Sequence, residues 1–210
     1  GVYDDTAVFV FSDHGDFTGD YGLVEKTQNT FEDCLSRVPL VIKPPSNAPA
    51  QPRVSEAMVE LVDFPATVYD LLGLDAGYTH FGRSLVPVLA GDTDEHRDAV
   101  FCEGGRLMGE EHCKERRHPS PDNLYYPRQV MQSSDGPAHG KAVMCRTERY
   151  KYVRRLYEPD ELYDLEADPQ ELDNRIGDAS LRGVLAEMKE RLLTHYQATC
   201  DAVPWETDER

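Results

Sequence analysis

The sequence predicts an α/β fold followed by a small C-terminal α+β unit, in which an antiparallel sheet packs against a helix. Short apolar runs at 7–11 and 38–42 are typical of buried strands in a parallel sheet, and helical patterns follow them. Nearer the C-terminus, a predicted hairpin precedes an amphipathic helix. The 210 residues suffice for one ordinary domain or two small ones, and we expect domains at 1–97 and 98–210.

The elements of the first half follow from local signals. The first predicted strand, at 6–11, ends in the sequence SDHG, and a loop rich in glycine, aspartate and threonine follows it. Pro39 must lie at the start or on the unpaired side of the second strand, because proline donates no backbone hydrogen bond. A helical stretch is predicted from Ser55. Another helix is predicted to begin at Asp63 and to end at Gly73.

The second half begins with a predicted strand at 99–103. The next 37 residues, 104–140, form a long polar loop in which we predict no regular element, and loops of this length are usually functional or disordered. Strands at 141–146 and 150–155 are predicted to form a hairpin. The closing helix, at 181–196, has apolar residues at helical spacing along one face.

The composition excludes several kinds of partner. The chain has 39 acidic and 22 basic residues, a formal net charge of -17. Nucleic acid and anionic membrane surfaces both require a basic surface, so neither is an expected partner, and no apolar run approaches the ~18 residues of a membrane span. The five scattered cysteines favour free thiols over a disulfide framework. An anionic substrate would have to be held by local positive charge.

The clearest chemical signal is the pair Asp13 and His14 at the end of the first strand. Ligands of α/β proteins bind at the carboxyl ends of strands, and a carboxylate beside an imidazole forms half of a divalent-metal site. Gly15 allows the backbone to turn away. Lys26 follows on the same loop and could hold an anion beside the metal. The alternative is that Asp13 caps a turn, His14 bonds to the backbone and Lys26 is solvated.

Several motifs in this order resemble the sulfatase family of the alkaline phosphatase superfamily. The family pattern S/T-D-H-G-x-x-x-G-D-H-G-L-x-x-K, followed by R-V-P-L, resembles the first forty residues, and further pieces extend the similarity to most of the chain outside 104–140. The matching segments are VFVFSDHGD at 8–16, GDYGL at 19–23, Lys26, RVPLVIK at 37–43, VDFPAT at 62–67, GRSL at 82–85, YKY at 150–152 and ELYDLEADPQE at 161–171.

The resemblance implies an alkaline-phosphatase-like sheet and a role for each matching residue. Asp13 and His14 would be metal ligands, and Lys26 would be a catalytic and substrate-binding residue that contacts a sulfate oxygen. The expected metal is Ca²⁺, with Mn²⁺ or Zn²⁺ as alternatives because an imidazole is a less suitable ligand for a hard cation. The implied substrate is a small-molecule sulfate ester. Tyr21 departs from the pattern, which has His at that position.

The family's nucleophile is a formylglycine made within a C-x-P-S-R type motif, and that motif does not occur in these residues. The sequence CLSR at 34–37 lacks the proline. We therefore expect the chain to be the C-terminal part of an arylsulfatase-like enzyme, inactive alone, whose N-terminal part supplies the formylglycine and the remaining metal ligands. That part, or a second copy, would cover the apolar sheet. We expect the 104–140 loop to select the substrate.

Two alternatives remain open. Phosphonate and phosphate ester hydrolases of the superfamily share the same motif arrangement, although the members with two metal ions need a further histidine, for which His80 and His139 are the candidates. The other alternative is a truncated protein that binds a metal or a partner without turnover.

Overall fold

The computed structural model describes residues 1–114, 120–133 and 136–202. The chain divides into two compact units, each assembled from distant parts of the sequence. The predicted boundary at residue 98 remains a prediction. The first unit contains Gly1–Phe11, Leu40–Val100 and the chain from Lys189 onward, and the second contains Ser12–Pro39 and Phe101–Met188.

Short strands alternate with helices along the chain. The strands are β1 Val8–Phe11, β2 Phe17–Thr18, β3 Val24–Glu25, β4 Leu40–Lys43, β5 Val100–Gly104, β6 Ala142–Arg146, β7 Tyr150–Arg155 and β8 Glu161–Asp164. The α-helices are α1 Asp33–Ser36, α2 Asp63–Leu72, α3 Val86–Ala90, α4 Tyr126–Ser133 and α5 Arg182–Thr199. Single 3-10 turns occupy Asp20–Gly22, Glu111–Cys113, Pro137–His139 and Ala179–Leu181.

The sheet of the first unit differs from the prediction. Strands β1 and β4 pair antiparallel, so the expectation of buried strands in a parallel sheet is wrong for this pair. Val10 lies directly opposite Val41, and both are exposed, at 60% and 62%. The other face is covered, because the Phe9 ring packs edge-on against Phe64 of α2, with 4.9 Å between ring centroids. One face of this two-stranded sheet is therefore apolar and open.

Helix α2 begins and ends where the sequence predicts, at Asp63 and before Gly73, whose φ of 61° ends the helix. The helix predicted from Ser55 is absent from residues 51–60. The Glu60 amide donates to the Asp63 carboxylate, 3.0 Å away, and so cannot take part in such a helix.

The Asp63 carboxylate is fully buried at the start of α2 and accepts several hydrogen bonds. Its donors are the Arg83 amide at 2.8 Å, the Arg97 Nε atom at 2.9 Å and the His96 ring at 3.0 Å. Burial alone would raise the pKa of Asp63, but hydrogen bonds from Arg97, Arg83 and Glu60 hold that pKa below 3.8. Asp63 therefore links α2 to the chain around 83–97 as an ionised group.

The second unit contains a four-stranded sheet in the order β5-β6-β7-β8. Strands β6, β7 and β8 pair antiparallel in sequence, which confirms the predicted hairpin. The core residues Met144 and Val153 pack with Phe31, which precedes α1. The predicted 104–140 loop contains α4, so the expectation that it has no regular element is wrong; residues 115–119 and 134–135 lie outside the described residues.

The closing helix α5 confirms the amphipathic helix that the sequence predicts. It extends a few residues beyond the predicted end, and Met188 and Leu192 are buried on its apolar face. Within the part of the chain that the structure describes, no helix has both the length and the apolar composition that crossing a membrane requires.

Candidate functional site

Asp13 and His14 follow β1 and lie side by side in the second unit. The His14 amide donates to Asp13 Oδ1 at 3.0 Å, and His14 Nε2 lies 3.7 Å from Asp13 Oδ2. The Asp13 side chain is 86% exposed and that of His14 is 38% exposed. A carboxylate oxygen and an imidazole nitrogen therefore converge on accessible space, as two ligands of one cation would.

The orientation of the His14 ring is fixed by its neighbour. His14 Nδ1 lies 2.8 Å from the Gly15 carbonyl oxygen, which can only accept, so Nδ1 is the protonated nitrogen. In the neutral ring the remaining nitrogen, Nε2, has the lone pair that a metal ion would bind. Histidines that bind metals usually donate their other ring N–H to a carbonyl or carboxylate in this way.

Lys26 directly follows a short hairpin that the sequence did not predict. Strands β2 and β3 pair antiparallel with Phe17 opposite Glu25, so the chain returns to its starting point just before Lys26. Glu25 has a left-handed backbone, with φ of 64°, and turns the chain there. The Lys26 side chain is half-buried. The hairpin thus returns Lys26 to the end at which Asp13 and His14 enter it.

The residues fit a divalent cation in part. Across residues 1–114, 120–133 and 136–202, no group of three or more His, Cys, Asp or Glu side chains is placed to hold a metal ion. Of the two further histidines considered from the sequence, His80 packs against the Tyr78 ring, and His139 is buried in a 3-10 turn. Asp13 and His14 thus supply two donors, and a complete coordination shell needs others.

Helix α1 contacts the Asp13–His14 loop at Gly15. The Gly15 amide donates to the Leu35 carbonyl oxygen at 2.8 Å. The two backbones are so close that a Cβ atom on residue 15 would lie 1.9 Å from the Cys34 carbonyl oxygen. Glycine is required here because of this contact, in addition to the sharp turn that the sequence suggests.

Three charged residues that the sequence analysis did not single out anchor α1 to the four-stranded sheet. Lys151 on β7 is 1% exposed, and its Nζ atom donates to Asp33 Oδ1 at 2.7 Å and to the Phe31 carbonyl at 2.9 Å. Lys151 also pairs with Glu171, which accepts from the Asp33 amide at 2.8 Å. Lys151 belongs to the YKY segment and Glu171 ends the ELYDLEADPQE segment. The sequence analysis therefore matched both residues to the family pattern but assigned neither of them a role.

Tyr21, which stands where the family pattern has His, is directed toward the segment before Glu171. Its hydroxyl donates to the Gln170 carbonyl at 2.7 Å, and its ring packs edge-on against Phe17. Burial, with the nearby Glu171 carboxylate, raises the pKa of Tyr21 to about 12. Tyr21 therefore acts here as a neutral anchor for the 19–23 turn.

Cys34 has the properties of an unreactive thiol. Partial burial raises the pKa of Cys34, and the carboxylates of Asp20 and Glu32 raise it further. Since the thiolate is the reactive form, this environment disfavours nucleophilic chemistry at Cys34. The same conclusion follows from the sequence, because CLSR lacks the proline of the formylglycine motif.

Two family models match most of the chain. The model described as Sulfatase matches residues 1–74, and the model described as N-sulphoglucosamine sulphohydrolase, C-terminal, matches residues 114–198. The chain belongs to the sulfatase family.

Curated relatives of this sulfatase chain include hydrolases of sulfate esters. It is 31% identical to a choline-sulfatase of Rhizobium meliloti over 82% of this chain and 27% of that protein. It is 29% identical to a multifunctional alkaline phosphatase superfamily protein of Trinickia caryophylli, over 95% of this chain and 38% of the relative. The chain thus spans roughly a quarter to two fifths of the length of these relatives.

Solved structures confirm the predicted fold class for the sulfatase chain. A phosphonate monoester hydrolase of Agrobacterium radiobacter superposes with a TM-score of 0.71 at 30% identity, over 92% of this chain and 35% of that one. A putative sulfatase of Bacteroides thetaiotaomicron gives a TM-score of 0.72 at 23% identity, over 99% of this chain and 40% of that one, and supports the fold alone.

Proposed function

We propose that the protein hydrolyses sulfate esters with the help of a divalent cation held by Asp13 and His14. The observation that supports this function is the convergence of His14 Nε2 and the Asp13 carboxylate, in a chain of the sulfatase family. The hairpin that returns Lys26 to the same end adds a positive charge suited to an anionic group. A cation and one lysine together explain how a chain of net charge -17 can bind an anion. Their attraction acts at short range, whereas salt screens the repulsion from carboxylates more than ~10 Å away.

Each residue has one proposed role. Lys26 donates hydrogen bonds from its ammonium group to a non-bridging sulfate oxygen, which favours the charge that develops there during S–O cleavage. Asp13 supplies an anionic oxygen to the cation, and His14 supplies its Nε2 lone pair. The bound cation would supply Lewis-acid stabilisation of the sulfate group.

Ca²⁺ is the proposed metal, as in the family pattern, and the imidazole ligand makes Mn²⁺ or Zn²⁺ the alternatives. Since Asp13 and His14 are two donors, this site on its own would bind a cation weakly. We propose that further ligands and the formylglycine come from polypeptide outside these residues, consistent with the length of the relatives.

The open face of the β1–β4 sheet supports the same proposal. Val10 and Val41 are directly opposite each other and exposed, and exposed apolar strands are usually covered in a native protein. We propose that the N-terminal part of the same enzyme, or a second copy, covers this face.

The 104–140 segment is the proposed determinant of the alcohol part of the ester. Helix α4 lies in this segment, and the guanidinium of its Arg128 lies 2.6 Å from the Glu25 carboxylate. Glu25 directly precedes Lys26. The 104–140 segment is therefore anchored next to the proposed sulfate-binding lysine, where it can contact the rest of a bound ester.

A second candidate is the hydrolysis of phosphonate or phosphate esters. The Agrobacterium radiobacter phosphonate monoester hydrolase, at 30% identity over 92% of this chain, favours it. A cation and a lysine would bind a phosphonate monoanion by the same contacts as a sulfate ester, so the site does not discriminate by itself.

The test compares kcat/KM for an aryl sulfate and an aryl phosphonate monoester, with the natural gene product and Ca²⁺, Mn²⁺ or Zn²⁺. Higher kcat/KM for the sulfate supports the proposal, and the reverse supports the second candidate. Lys26→Met should lower kcat about 10²–10³-fold, whereas Lys141→Met, at an exposed lysine of the same unit, should leave kcat unchanged.

The 210-residue chain alone should show only background turnover, and robust turnover would contradict the need for further polypeptide. If the natural gene product hydrolyses neither ester with any of the three metals, a non-catalytic binding protein becomes the better description.

A further inference from the structure

The second unit contains a buried group of charged side chains, Lys151, Asp33 and Glu171, which the proposed chemistry does not use. Lys151 and Glu171 are almost fully buried, and Asp33 also receives Arg146 Nη2 at 3.2 Å. Buried charges are costly to desolvate, and apolar side chains of similar size are often equally stable or more so. Stability alone therefore does not explain this arrangement.

The group caps and holds helix α1 from another part of the sequence. The first amide of α1, Asp33 N, donates to Glu171 Oε2 at 2.8 Å, although the two residues are 138 positions apart. Lys151 joins the Asp33 side chain to the Phe31 carbonyl oxygen on the other side of the helix start. Glu171 also has a left-handed backbone with φ of 56°, a conformation that persists where the surroundings impose it.

Helix α1 is connected in turn to His14 through two hydrogen bonds. The Leu35 carbonyl of α1 accepts from the Gly15 amide at 2.8 Å. The Gly15 carbonyl accepts from His14 Nδ1, also at 2.8 Å. The Gly15 backbone is pressed against the Cys34 carbonyl, so a shift of α1 must move residue 15 as well.

We propose that Lys151 and Glu171 are positioning residues that fix the His14 ring through α1 and Gly15. The effect of Lys151 and Glu171 on metal binding rests on the proposed function. Their connection to residue 15 through α1 does not. Lys151 and Glu171 set the position of α1, and the Leu35 carbonyl holds the Gly15 amide. The Gly15 carbonyl, on the other side of the same residue, then sets the orientation of the His14 ring. Outer-shell partners of metal ligands typically affect metal affinity 10–100-fold.

The first test measures amide hydrogen exchange in Lys151→Met. The Gly15 amide reports on the connection, and the Leu165 amide, which donates to the Arg149 carbonyl at 2.8 Å, reports on the sheet. We expect exchange at Gly15 to accelerate at least about tenfold more than exchange at Leu165. Equal acceleration at both amides would mean that Lys151 supports only the fold, and would overturn the proposal.

A matched control is available on the same strand. Tyr152 is the next residue of β7, so its side chain leaves the opposite face, and its hydroxyl donates to Asp160 at 2.7 Å. Tyr152→Phe removes a buried hydrogen bond without touching α1. It should change exchange at Gly15 and Leu165 by similar factors; a selective effect at Gly15 would contradict the assigned route.

Glu171→Gln gives a second variant if Lys151→Met does not fold. Glutamine keeps the shape and an acceptor for the Asp33 amide but loses the charge that Lys151 needs. Selective acceleration at Gly15 supports the proposal, and uniform acceleration overturns it.

The second test is calorimetric titration with Ca²⁺, Mn²⁺ and Zn²⁺ of the natural gene product and its Lys151→Met, Glu171→Gln and Tyr152→Phe variants. We expect Kd to rise 10–100-fold in the first two variants and to stay unchanged in the third. Unchanged Kd in all three variants would overturn the positioning role. If the parent protein binds none of the metals, the proposed function fails, and the exchange experiment still decides whether Lys151 and Glu171 position residue 15.

Discussion

The His14 ring and the Gly15 carbonyl group lie in successive residues and are 2.8 Å apart, which makes the Gly15 peptide the support of the ring. Nε2 of the same ring lies 3.7 Å from Asp13 Oδ2, close enough for both atoms to bind one cation when the ring is neutral. The site's geometry is thus determined within three consecutive residues, and its stability depends on what holds the third.

Asp13→Asn should weaken divalent-metal binding by the natural gene product at least about tenfold, since loss of a mere outer-shell partner already has that effect. The amide keeps the shape of the side chain but loses the negative charge that the cation requires. Calorimetric titration measures the affinity. Asp16→Asn is the matched control, because Asp16 is exposed on the same loop and its loss changes the net charge equally. Equal effects of both changes would indicate a general field effect instead of a ligand role.

Gly15→Ala should destabilise the protein by about 1–3 kcal/mol or more, because the added Cβ overlaps the Cys34 carbonyl at 1.9 Å. Gly183→Ala tests the same substitution inside α5, where an added Cβ atom would meet nothing within 4 Å apart from its chain neighbours and the helix's own backbone. There alanine should stabilise by about 0.4–1 kcal/mol through the unfolded state. Urea unfolding measures both, and a neutral effect at residue 15 would show that the two backbones separate easily.

Asp63→Asn should lower the free energy of unfolding at neutral pH by about 1–3 kcal/mol, because the neutral amide cannot accept from both Arg97 and His96. Glu60 is then the carboxylate that remains beside the buried Arg97. The pKa of Asp63 is below 3.8 in the folded protein, so its contribution is present above pH 3.8 and is lost as the pH falls toward the folded value. The variant should therefore lose stability less steeply below pH 3.8 than the parent.

The control for that change is Asp75→Asn, at an exposed position where the side chain accepts from the Gly77 amide. The amide oxygen preserves this contact, and the change in unfolding free energy should stay within about 0.5 kcal/mol. Urea unfolding from pH 2.5 to 7 measures both variants. Parallel pH curves for the parent and Asp63→Asn would contradict a lowered pKa at Asp63.

Val10→Thr combined with Val41→Thr tests the cover over the β1–β4 sheet. In the 210-residue chain both side chains are exposed, so the change should fall within about 0.5 kcal/mol. If further polypeptide covers the face in the natural gene product, each buried hydroxyl without a partner should cost about 1–3 kcal/mol there. Val54→Thr, at a residue that is 90% exposed, is the control in both proteins. Equal, small effects in both would mean that the face stays open.

Local signals were sufficient for several elements. Asp63 and Gly73 mark the ends of α2 by their chemistry, and strand composition predicted the β6–β7 hairpin. The direction of β1 relative to β4 was not predictable in the same way, because a short apolar run fits either a parallel or an antiparallel pair. The exposure of such a strand depends on which neighbouring polypeptide covers it, and the apolar run does not specify that.

The site shows the same division. The sequence identified Asp13, His14 and Lys26 by type and spacing. Asp13 and His14 remain predictions as metal ligands, and Lys26 remains a prediction as a catalytic, sulfate-binding residue. The β2–β3 hairpin was missed because strands of two residues have no detectable period. The pairing of Lys151 with Asp33 was missed because the contact spans 118 positions, and a lysine is among the residues least expected in a core.

The 118 positions between Asp33 and Lys151 also separate them in time during synthesis. At 5–20 residues per second, a ribosome needs about 6 to 24 s to make that length of chain. For that interval the nascent Asp13–His14 loop lacks the residues that anchor α1. An mRNA truncated before the codons of β7 would therefore encode both proposed ligands but not Lys151 and Glu171. The Asp13–His14 loop of its product would lack the residues that anchor α1 and would be accessible to proteases and chaperones.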